Sequence, residues 1–200
     1  MKERIKKFIE KQKNRKKSSL ITDGIFILLI IVFLIPTSRV WLKEQVSKIT
    51  MASPRANSNY QALTSGEMNM LFVNEQGETV ALEDFSGEVI FLNYWATWCP
   101  PCRAEMPAIQ SLYNEYQDKM KFLFVTNEKK PVVNSYFQQN GYDVPVYNYG
   151  STPIGTLESQ SIPTTFIITR DGKLALKKVG AAKWDSEKTK AFLDKLIAGS

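Results

Sequence analysis

Cys99 and Cys102 are the two cysteines of the 200-residue chain, and their types and spacing point to sulfur chemistry. Residues three apart lie about one turn apart on a helix, so the two sulfurs could close into a disulfide. The pair follows a continuous apolar run at 89–94 and opens a segment with helical periodicity. At a helix N-terminus, unpaired N–H groups and the positive end of the dipole stabilise a thiolate. The pattern predicts thiol–disulfide exchange, with Cys99 as the exposed attacking sulfur and Cys102 as the shielded resolving sulfur.

The residues beside the cysteines set their expected reactivity. Pro100 and Pro101 suit the first turn of a helix, and they remove two N–H donors that could have held a Cys99 thiolate. A thiolate with fewer donors is less stable, which favours a reducing pair. Trp98 precedes Cys99 and is expected to shape its pocket, although packing at the core or its rim is the commoner role of such a tryptophan.

Other uses of the cysteine pair are less well supported. The chain has no histidine, which excludes His-ligated metal sites and Cys–His catalytic pairs. Two cysteines could form half of a zinc site only with a partner chain. A purely structural disulfide that closes so short a loop contributes little chain entropy. We therefore expect no metal and no cofactor beyond a redox-active Cys99–Cys102 disulfide.

The positive charge of the chain is concentrated at its start. Nine of the 26 Lys and Arg residues lie within residues 1–17, and the remainder of the chain is close to neutral. Nucleic-acid binding would require basic residues on a folded face, so nucleic acid is not an expected partner. Residues 1–19 are predicted to be a basic cytoplasmic tail.

Residues 20–42 are predicted to be a transmembrane signal-anchor, because the apolar run approaches the roughly 20 residues that a spanning helix needs. A cleaved signal peptide is the alternative, since the densest apolar part covers only residues 25–35. The preceding basic residues predict a cytoplasmic N-terminus and an exported domain, in the periplasm or at the outer membrane surface. Residues 43–65 are predicted to be a linker, helical at its start, that leads to a domain at 66–200.

Residues 66–200 alternate strand-like and helix-like patterns, which predicts an α/β domain with a central mixed β-sheet flanked by helices. We expect a β-hairpin at its start, around Gly77. Strands are predicted over 68–73, 78–81, 89–94, 121–126, 144–147, 164–169 and 173–179, and helices over 100–119, 131–140 and 185–198.

The run WATWCPPCRAEMP at 95–107 and the segment Ile162-Pro163-Thr164-Thr165 resemble the thioredoxin superfamily, specifically its membrane-anchored TlpA/ResA/CcmG-type thiol–disulfide oxidoreductases. The hairpin and the segment 82–87 resemble the same family. The resemblance implies a thioredoxin fold, Cys99 as nucleophile, Cys102 as resolving thiol, and Pro163 as a cis-proline facing the disulfide. On local sequence alone, Pro163 simply precedes a strand.

One position departs from the ordinary thioredoxin pattern. Asn93 stands where ordinary thioredoxins bury an acid in the strand before the motif, and Glu105 occupies the family's alternative position in the helix. Glu105 follows Cys102 by about one turn, which makes it a candidate proton acceptor for that thiol. The competing interpretation is an exposed glutamate that the helix dipole favours in the first turns of the helix. Ile162 and Pro163 are predicted to form a docking edge for the backbone of a client.

The leading hypothesis is an enzyme that reduces disulfides in cysteine-containing client proteins outside the cytoplasm. The resemblance implies electrons from a membrane thiol carrier, often for cytochrome c maturation, so apocytochrome c is one candidate client. A disulfide oxidase or isomerase is the alternative enzyme. A membrane-tethered binding or chaperone module, with a vestigial cysteine pair, is the alternative from another class.

Overall fold

The computed structural model describes residues 21–28, 30, 31, 34, 36–55 and 60–199. It divides the chain into two units, residues 1–43 and 44–200. The predicted tail at 1–19 lies outside the described residues, as do residues 20, 29, 32, 33 and 35 of the predicted anchor. Of the helices that the structure describes, none has both the length and the apolar character needed to cross a membrane.

In the described part of the second unit, eight strands form one mixed sheet in the order β1-β8-β7-β4-β5-β6-β2-β3. The central strand β4 pairs in parallel with β5 and antiparallel with β7. All five residues of β4 are buried, which explains why all but Asn93 are apolar or aromatic. The strands are β1 (Gln61–Ala62), β2 (Leu71–Val73), β3 (Thr79–Ala81), β4 (Ile90–Tyr94), β5 (Lys121–Thr126), β6 (Val146–Tyr149), β7 (Thr164–Ile168) and β8 (Lys173–Val179).

Helices of very different lengths cover the two faces of the sheet. Along β4, Phe91 belongs to the core under the long helices, whereas Ile90 and Leu92 belong to the core on the opposite face. This alternation follows from the two-residue period of a strand. From Pro36 onward the described helices are α1 (Pro36–Thr50), α2 (Ser65–Met68), α3 (Pro100–Tyr116), α4 (Lys130–Asn140) and α5 (Glu187–Ala198), with 3₁₀ turns at Leu82–Phe85 and Gly155–Leu157.

The predicted mixed α/β sheet and the β2–β3 hairpin are confirmed. The strand predicted over 68–70 is wrong, because Thr64 caps α2 there: its hydroxyl accepts from the N–H of Glu67, whose carboxylate accepts from the N–H of Thr64. The strand predicted at 144–147 starts two residues later, as β6, where its pairing with Phe124 of β5 begins at Val146.

Part of the predicted linker packs on the domain. Within the second unit, Glu44 forms an ion pair with Arg103 at 3.2 Å. The carbonyl of Ala52 accepts a hydrogen bond from the N–H of Lys183, and Ser53 donates to a serine hydroxyl at the start of α5. Residues 44–53 are therefore held against the domain at three points, which shortens any free tether. The domain limits themselves stay predictions.

Candidate active site

The cysteine pair lies where the central strand β4 leads into helix α3. Cys99 is the N-cap of α3, and its Sγ accepts a hydrogen bond from the N–H of Cys102 at 3.2 Å. Pro100 and Pro101 occupy the first turn and have no N–H to give. Cys102 therefore supplies the first free N–H of the helix, and it is aimed at the sulfur of Cys99. The two cysteines form a disulfide, with their Cα atoms 5.3 Å apart.

The attacking sulfur is more enclosed than the sequence predicted. In this disulfide form Cys99 is 3% exposed and Cys102 is 1% exposed, so the predicted contrast between an exposed and a shielded cysteine is wrong. The Ile162–Pro163 peptide bond is cis, as predicted. The carbonyl oxygen of Ile162 lies 3.7 Å from Cys99 Sγ. This contact, from a segment distant in sequence, contributes to the enclosure of Cys99.

Trp98 and Thr97 form the approach to the disulfide. Trp98 is 66% exposed, which places a large apolar ring at the surface one residue before Cys99. The preceding Thr97 is clamped by the Glu128 carboxylate, which accepts from its N–H at 2.6 Å and from its hydroxyl at 2.7 Å. Two bonds to one carboxylate restrain this turn, and the sequence analysis did not anticipate them.

Glu105 lies in a buried polar network behind α3. One of its oxygens accepts from the N–H of Ala182 at 3.0 Å and from the indole N–H of Trp184 at 2.9 Å. The other oxygen accepts from the Asn93 amide at 3.2 Å, and the same amide donates to the Thr165 hydroxyl at 2.8 Å. The alternative of an exposed helix-start glutamate is wrong, because Glu105 is 1% exposed.

Burial raises the pKa of Glu105 to about 7, since the low-dielectric site disfavours the charged form more than the hydrogen bonds from Trp184, Ala182 and Asn93 favour it. A carboxylate with such a pKa can take up and release a proton near neutral pH. Among the described residues, these three are the ones that donate hydrogen bonds to Glu105, and Cys102 is not one of them. Proton exchange with Cys102 therefore requires an intervening water or a movement of the thiol.

Trp184, Ala182 and Thr165 are site residues that the sequence analysis missed. Trp184 stands alone between polar residues just before α5, and it is fully buried against the Phe91 ring, with the ring centroids 4.9 Å apart. A lone tryptophan in a polar segment was the available signal. The N–H of Ala182 carried no signal, because its partner lies 77 residues away in sequence.

The arrangement as a whole defines a class of protein. A disulfide caps a helix at the end of a central strand and faces a cis-proline, in a mixed sheet with its long helices on one face. This is the thioredoxin fold with a dithiol centre, which acts by thiol–disulfide exchange through its cysteines and without a cofactor.

Comparison with known proteins identifies the family. The chain matches the Redoxin family over residues 48–195 and belongs to that family. It is 32% identical over 131 residues to thiol-disulfide oxidoreductase ResA of Bacillus cereus, covering 64% of this chain and 75% of that protein. It is 33% identical over 122 residues to the thioredoxin-like protein YneN of Bacillus subtilis, covering 59% of this chain and 72% of that protein.

A solved structure agrees at the level of the fold. A DsbF homologue from Corynebacterium diphtheriae superposes with a TM-score of 0.53 at 19% identity, covering 75% of this chain and 99% of the other. The predicted thioredoxin-like fold and the predicted family are confirmed. The chain is a thiol–disulfide oxidoreductase of the ResA/CcmG type, and its substrates are cysteine-containing proteins.

We expect the Glu105→Gln variant to change how stability depends on pH. The folded pKa of about 7 exceeds the ordinary value of 4.5, so the folded chain binds the extra proton between these values. The stability that this proton contributes is complete below pH 4.5 and is lost as the pH rises through about 7. Glutamine has no such proton. Between about pH 5 and pH 8, the free energy of unfolding of the wild type should therefore fall by about 2 to 3 kcal/mol relative to that of the variant.

The measurement is the free energy of unfolding in urea of the oxidised full-length wild type and variant at both pH values. Groups that titrate alike in both proteins cancel in the difference between them. Glutamine can be accommodated, because the buried Asn93 Oδ1 lacks a hydrogen-bond partner and can accept from the new amide after a flip. A difference between the two proteins that is independent of pH would mean that Glu105 titrates normally.

Proposed function

We propose that the chain reduces disulfides in client proteins outside the cytoplasm, with its N-terminal segment as a membrane anchor. The observation that carries the reducing direction is the poor stabilisation of negative charge at Cys99. A single helical N–H, that of Cys102, reaches its sulfur, and the carbonyl oxygen of Ile162 lies 3.7 Å away. A nearby carbonyl oxygen disfavours a thiolate. A less stable dithiol form gives up its electrons more readily.

The proposed reaction starts from the dithiol form. The Cys99 thiolate attacks one sulfur of a client disulfide, so that the client S–S bond breaks and one client thiolate leaves. Cys102 then loses its proton and attacks Cys99 Sγ, which closes the Cys99–Cys102 disulfide and releases the second client thiolate. Two electrons and the proton of Cys102 have passed to the client, whose other thiolate takes its proton from solvent. A membrane thiol carrier is proposed to restore the dithiol form.

Glu105 is proposed to accept the proton of Cys102 in the second step. Cys102 is 1% exposed, and an apolar setting opposes formation of its thiolate. Glu105 follows it by about one turn of α3 and has a pKa of about 7, so a proton can move to it without a large free-energy cost. Asn93 occupies the strand position but cannot titrate. Glu105 would return the proton to the leaving client thiolate.

Docking is proposed to use the surface around Cys99. Ile162 is half-buried beside the sulfur, and Trp98 offers an exposed ring on the approach. Pro163 has no N–H, and its carbonyl is already paired with the N–H of Gly180. An extended client chain would therefore pair with the backbone of Ile162. Apocytochrome c, with its cysteine pair, is one candidate client.

The membrane assignment rests on the sequence together with one structural feature. The described residues of the predicted anchor are helical and carry exposed apolar side chains such as Phe26, 66% exposed, and Leu34, 63% exposed. Large exposed apolar side chains in a row are typical of a surface that meets lipid or another protein. With the basic tail at 1–19, they support an anchor whose N-terminus stays in the cytoplasm.

The redox potential of the full chain tests the reducing direction. We expect a value nearer to the roughly −270 mV of thioredoxin than to the roughly −120 mV of DsbA. The measurement is equilibration with dithiothreitol buffers in detergent, followed by alkylation of free thiols. A potential above about −180 mV would favour a disulfide oxidase or isomerase instead.

A variant with Cys99→Ala and Cys102→Ala should reduce nothing, and retained function of this variant in vivo would favour a binding or chaperone module.

The Glu105→Gln variant tests the proton transfer. The first attack by Cys99 should keep its rate, whereas release of the mixed disulfide should slow by about 10- to 100-fold, the scale of general-base assistance. Stopped-flow reduction of a model disulfide from about pH 5 to 9 separates the two steps. A Glu115→Gln variant, on the same helix but outside the network, is the matched control. An unaltered pH–rate profile for release would leave Glu105 without a role in the reaction.

A reporter that is active only in the cytoplasm, fused after Ser200, tests the topology. With nine basic residues before the apolar run, we expect the reporter to be silent, because the domain is exported. The same reporter fused before the apolar run should be active. Activity of the fusion after Ser200 would place the domain in the cytoplasm.

A further inference from the structure

Glu67 is a buried carboxylate on the sheet face opposite α3, and the proposed reaction does not use it. It is 2% exposed. One of its oxygens accepts from the N–H and the hydroxyl of Thr64, at 2.7 and 2.9 Å. The other accepts from the N–H and the hydroxyl of Thr156, both at 2.5 Å. Burial opposes the charge, but these four donors outweigh it and hold the pKa at about 2. The carboxylate is therefore ionised at any physiological pH.

The two pairs of donors belong to different parts of the chain. Thr64 is the N-cap of α2, and the hydrogen bonds between Thr64 and Glu67 alone complete the capping box of that helix. Thr156 lies in the 3₁₀ turn Gly155–Leu157, within the long connection from β6 to β7. A Cβ at Gly155 would overlap the carboxylate, so glycine makes the close approach possible. Glu67 thus joins two segments that are 89 residues apart.

The connection that Glu67 holds leads directly to the disulfide. Beyond Thr156, the Lys177 ammonium donates to the carbonyls of Thr156 and Glu158, at 3.0 and 2.7 Å. The Ser159 hydroxyl then donates to the carbonyl of Ser161 at 2.9 Å. The next residue is Ile162, whose carbonyl faces Cys99. Side chains from other elements therefore hold the segment at Thr156 and Glu158, the Ser159–Ser161 bond shapes it internally, and Glu67 is its first attachment.

Local structure alone could not fix this segment. A 3₁₀ turn of three residues is too short to be stable by itself. The helical segments that the structure describes on this face are all short: the four-residue helix α2 and two 3₁₀ turns. The turn is instead held by the buried side chain of Leu157 and by hydrogen bonds to Glu67 and from Lys177. Hydrogen bonds to an ionised acceptor are shorter and stronger than neutral ones.

We propose that Glu67 is a positioning residue for client docking: through Thr156 it fixes the connection that presents the Ile162 backbone beside Cys99. The inference rests on the proposed docking of an extended client chain at Ile162. A docking edge that is ordered before binding costs less conformational entropy when the client binds. Loss of the attachment should therefore weaken binding of an extended peptide while the reacting sulfurs keep their own chemistry.

Two matched substitutions separate docking from capping. Thr64→Ala and Thr156→Ala each remove one hydroxyl donor to the same carboxylate, but only Thr156 lies on the connection to Ile162. The full chain in its dithiol form is mixed with increasing concentrations of a disulfide-closed extended peptide, and tryptophan fluorescence follows a single turnover. The half-saturating concentration reports docking, and the limiting rate reports the exchange chemistry. A small disulfide without a peptide backbone is the second substrate.

We expect Thr156→Ala and Glu67→Gln to raise the half-saturating peptide concentration about tenfold, with limiting rates within about twofold of wild type. The rate with the small disulfide should not change. Thr156→Ser, which keeps the hydroxyl, should restore peptide binding. Thr64→Ala should leave both substrates unaffected, even where it lowers the free energy of unfolding.

Equal effects of Thr64→Ala and Thr156→Ala, or parallel losses with both substrates, would reduce Glu67 to a structural residue and overturn the inference. If Glu67→Gln does not fold, the two threonine variants and Thr156→Ser still decide the question. Failure of the wild-type chain to reduce the peptide would instead refute the proposed function, and the inference with it. The wild-type result thus distinguishes the two failures.

Discussion

The structure of the site depends on one constraint: helix α3 must begin where the buried strand β4 ends. Because Pro100 and Pro101 have no N–H, the first donor of the helix is Cys102, and it points at Cys99 Sγ. The hydrogen bond that caps the helix is therefore also the contact that brings the two sulfurs together. A thiolate accepts such a bond more strongly than a disulfide sulfur does. The start of α3 is thus coupled to the redox state of the pair.

The network behind the helix makes this junction rigid. Asn93 of β4 and Thr165 of β7 are direct partners in the sheet register, and the Asn93 amide joins both to Glu105 of α3. Trp184 adds the segment before α5. The strand that starts at the cis-proline and the helix that carries the cysteines are therefore tied to the same buried carboxylate. Glu105 is therefore hydrogen-bonded, directly or through Asn93, to the elements on both sides of the disulfide.

Much of the fold follows from local patterns, and the departures have physical causes. The strands β5 and β8 have their predicted limits, because apolar residues and turn residues bound them in the sequence itself. The limits of β6 depend on its neighbours: Phe124 pairs with Val146 across the sheet, which no local pattern records. The enclosure of Cys99 was missed for the same reason, since the carbonyl beside it comes from Ile162, 63 residues away.

The two buried carboxylates show how one side chain can serve opposite purposes. Glu67 and Glu105 are 2% and 1% exposed, yet their pKa values are about 2 and about 7. Four donors at 2.5–2.9 Å surround Glu67, whereas three donors at 2.9–3.2 Å reach Glu105. Hydrogen bonds to the charged form lower a pKa, and desolvation raises it. Glu67 has more and shorter bonds and lies beneath less protein than Glu105, so the bonds prevail at Glu67 and desolvation prevails at Glu105.

This difference in hydrogen bonding assigns the two carboxylates to different tasks. Glu67 keeps its charge throughout the neutral range, which suits a fixed attachment between two segments. Glu105 gains and loses a proton near neutral pH, which suits a group that must accept a proton from a shielded thiol and return it. A fourth hydrogen-bond donor at Glu105 would strengthen the network but would also lower the pKa of its carboxylate. The carboxylate would then stay charged near neutral pH, and the proton transfer would be lost. The incomplete set of donors at Glu105 is therefore a requirement of the proposed chemistry.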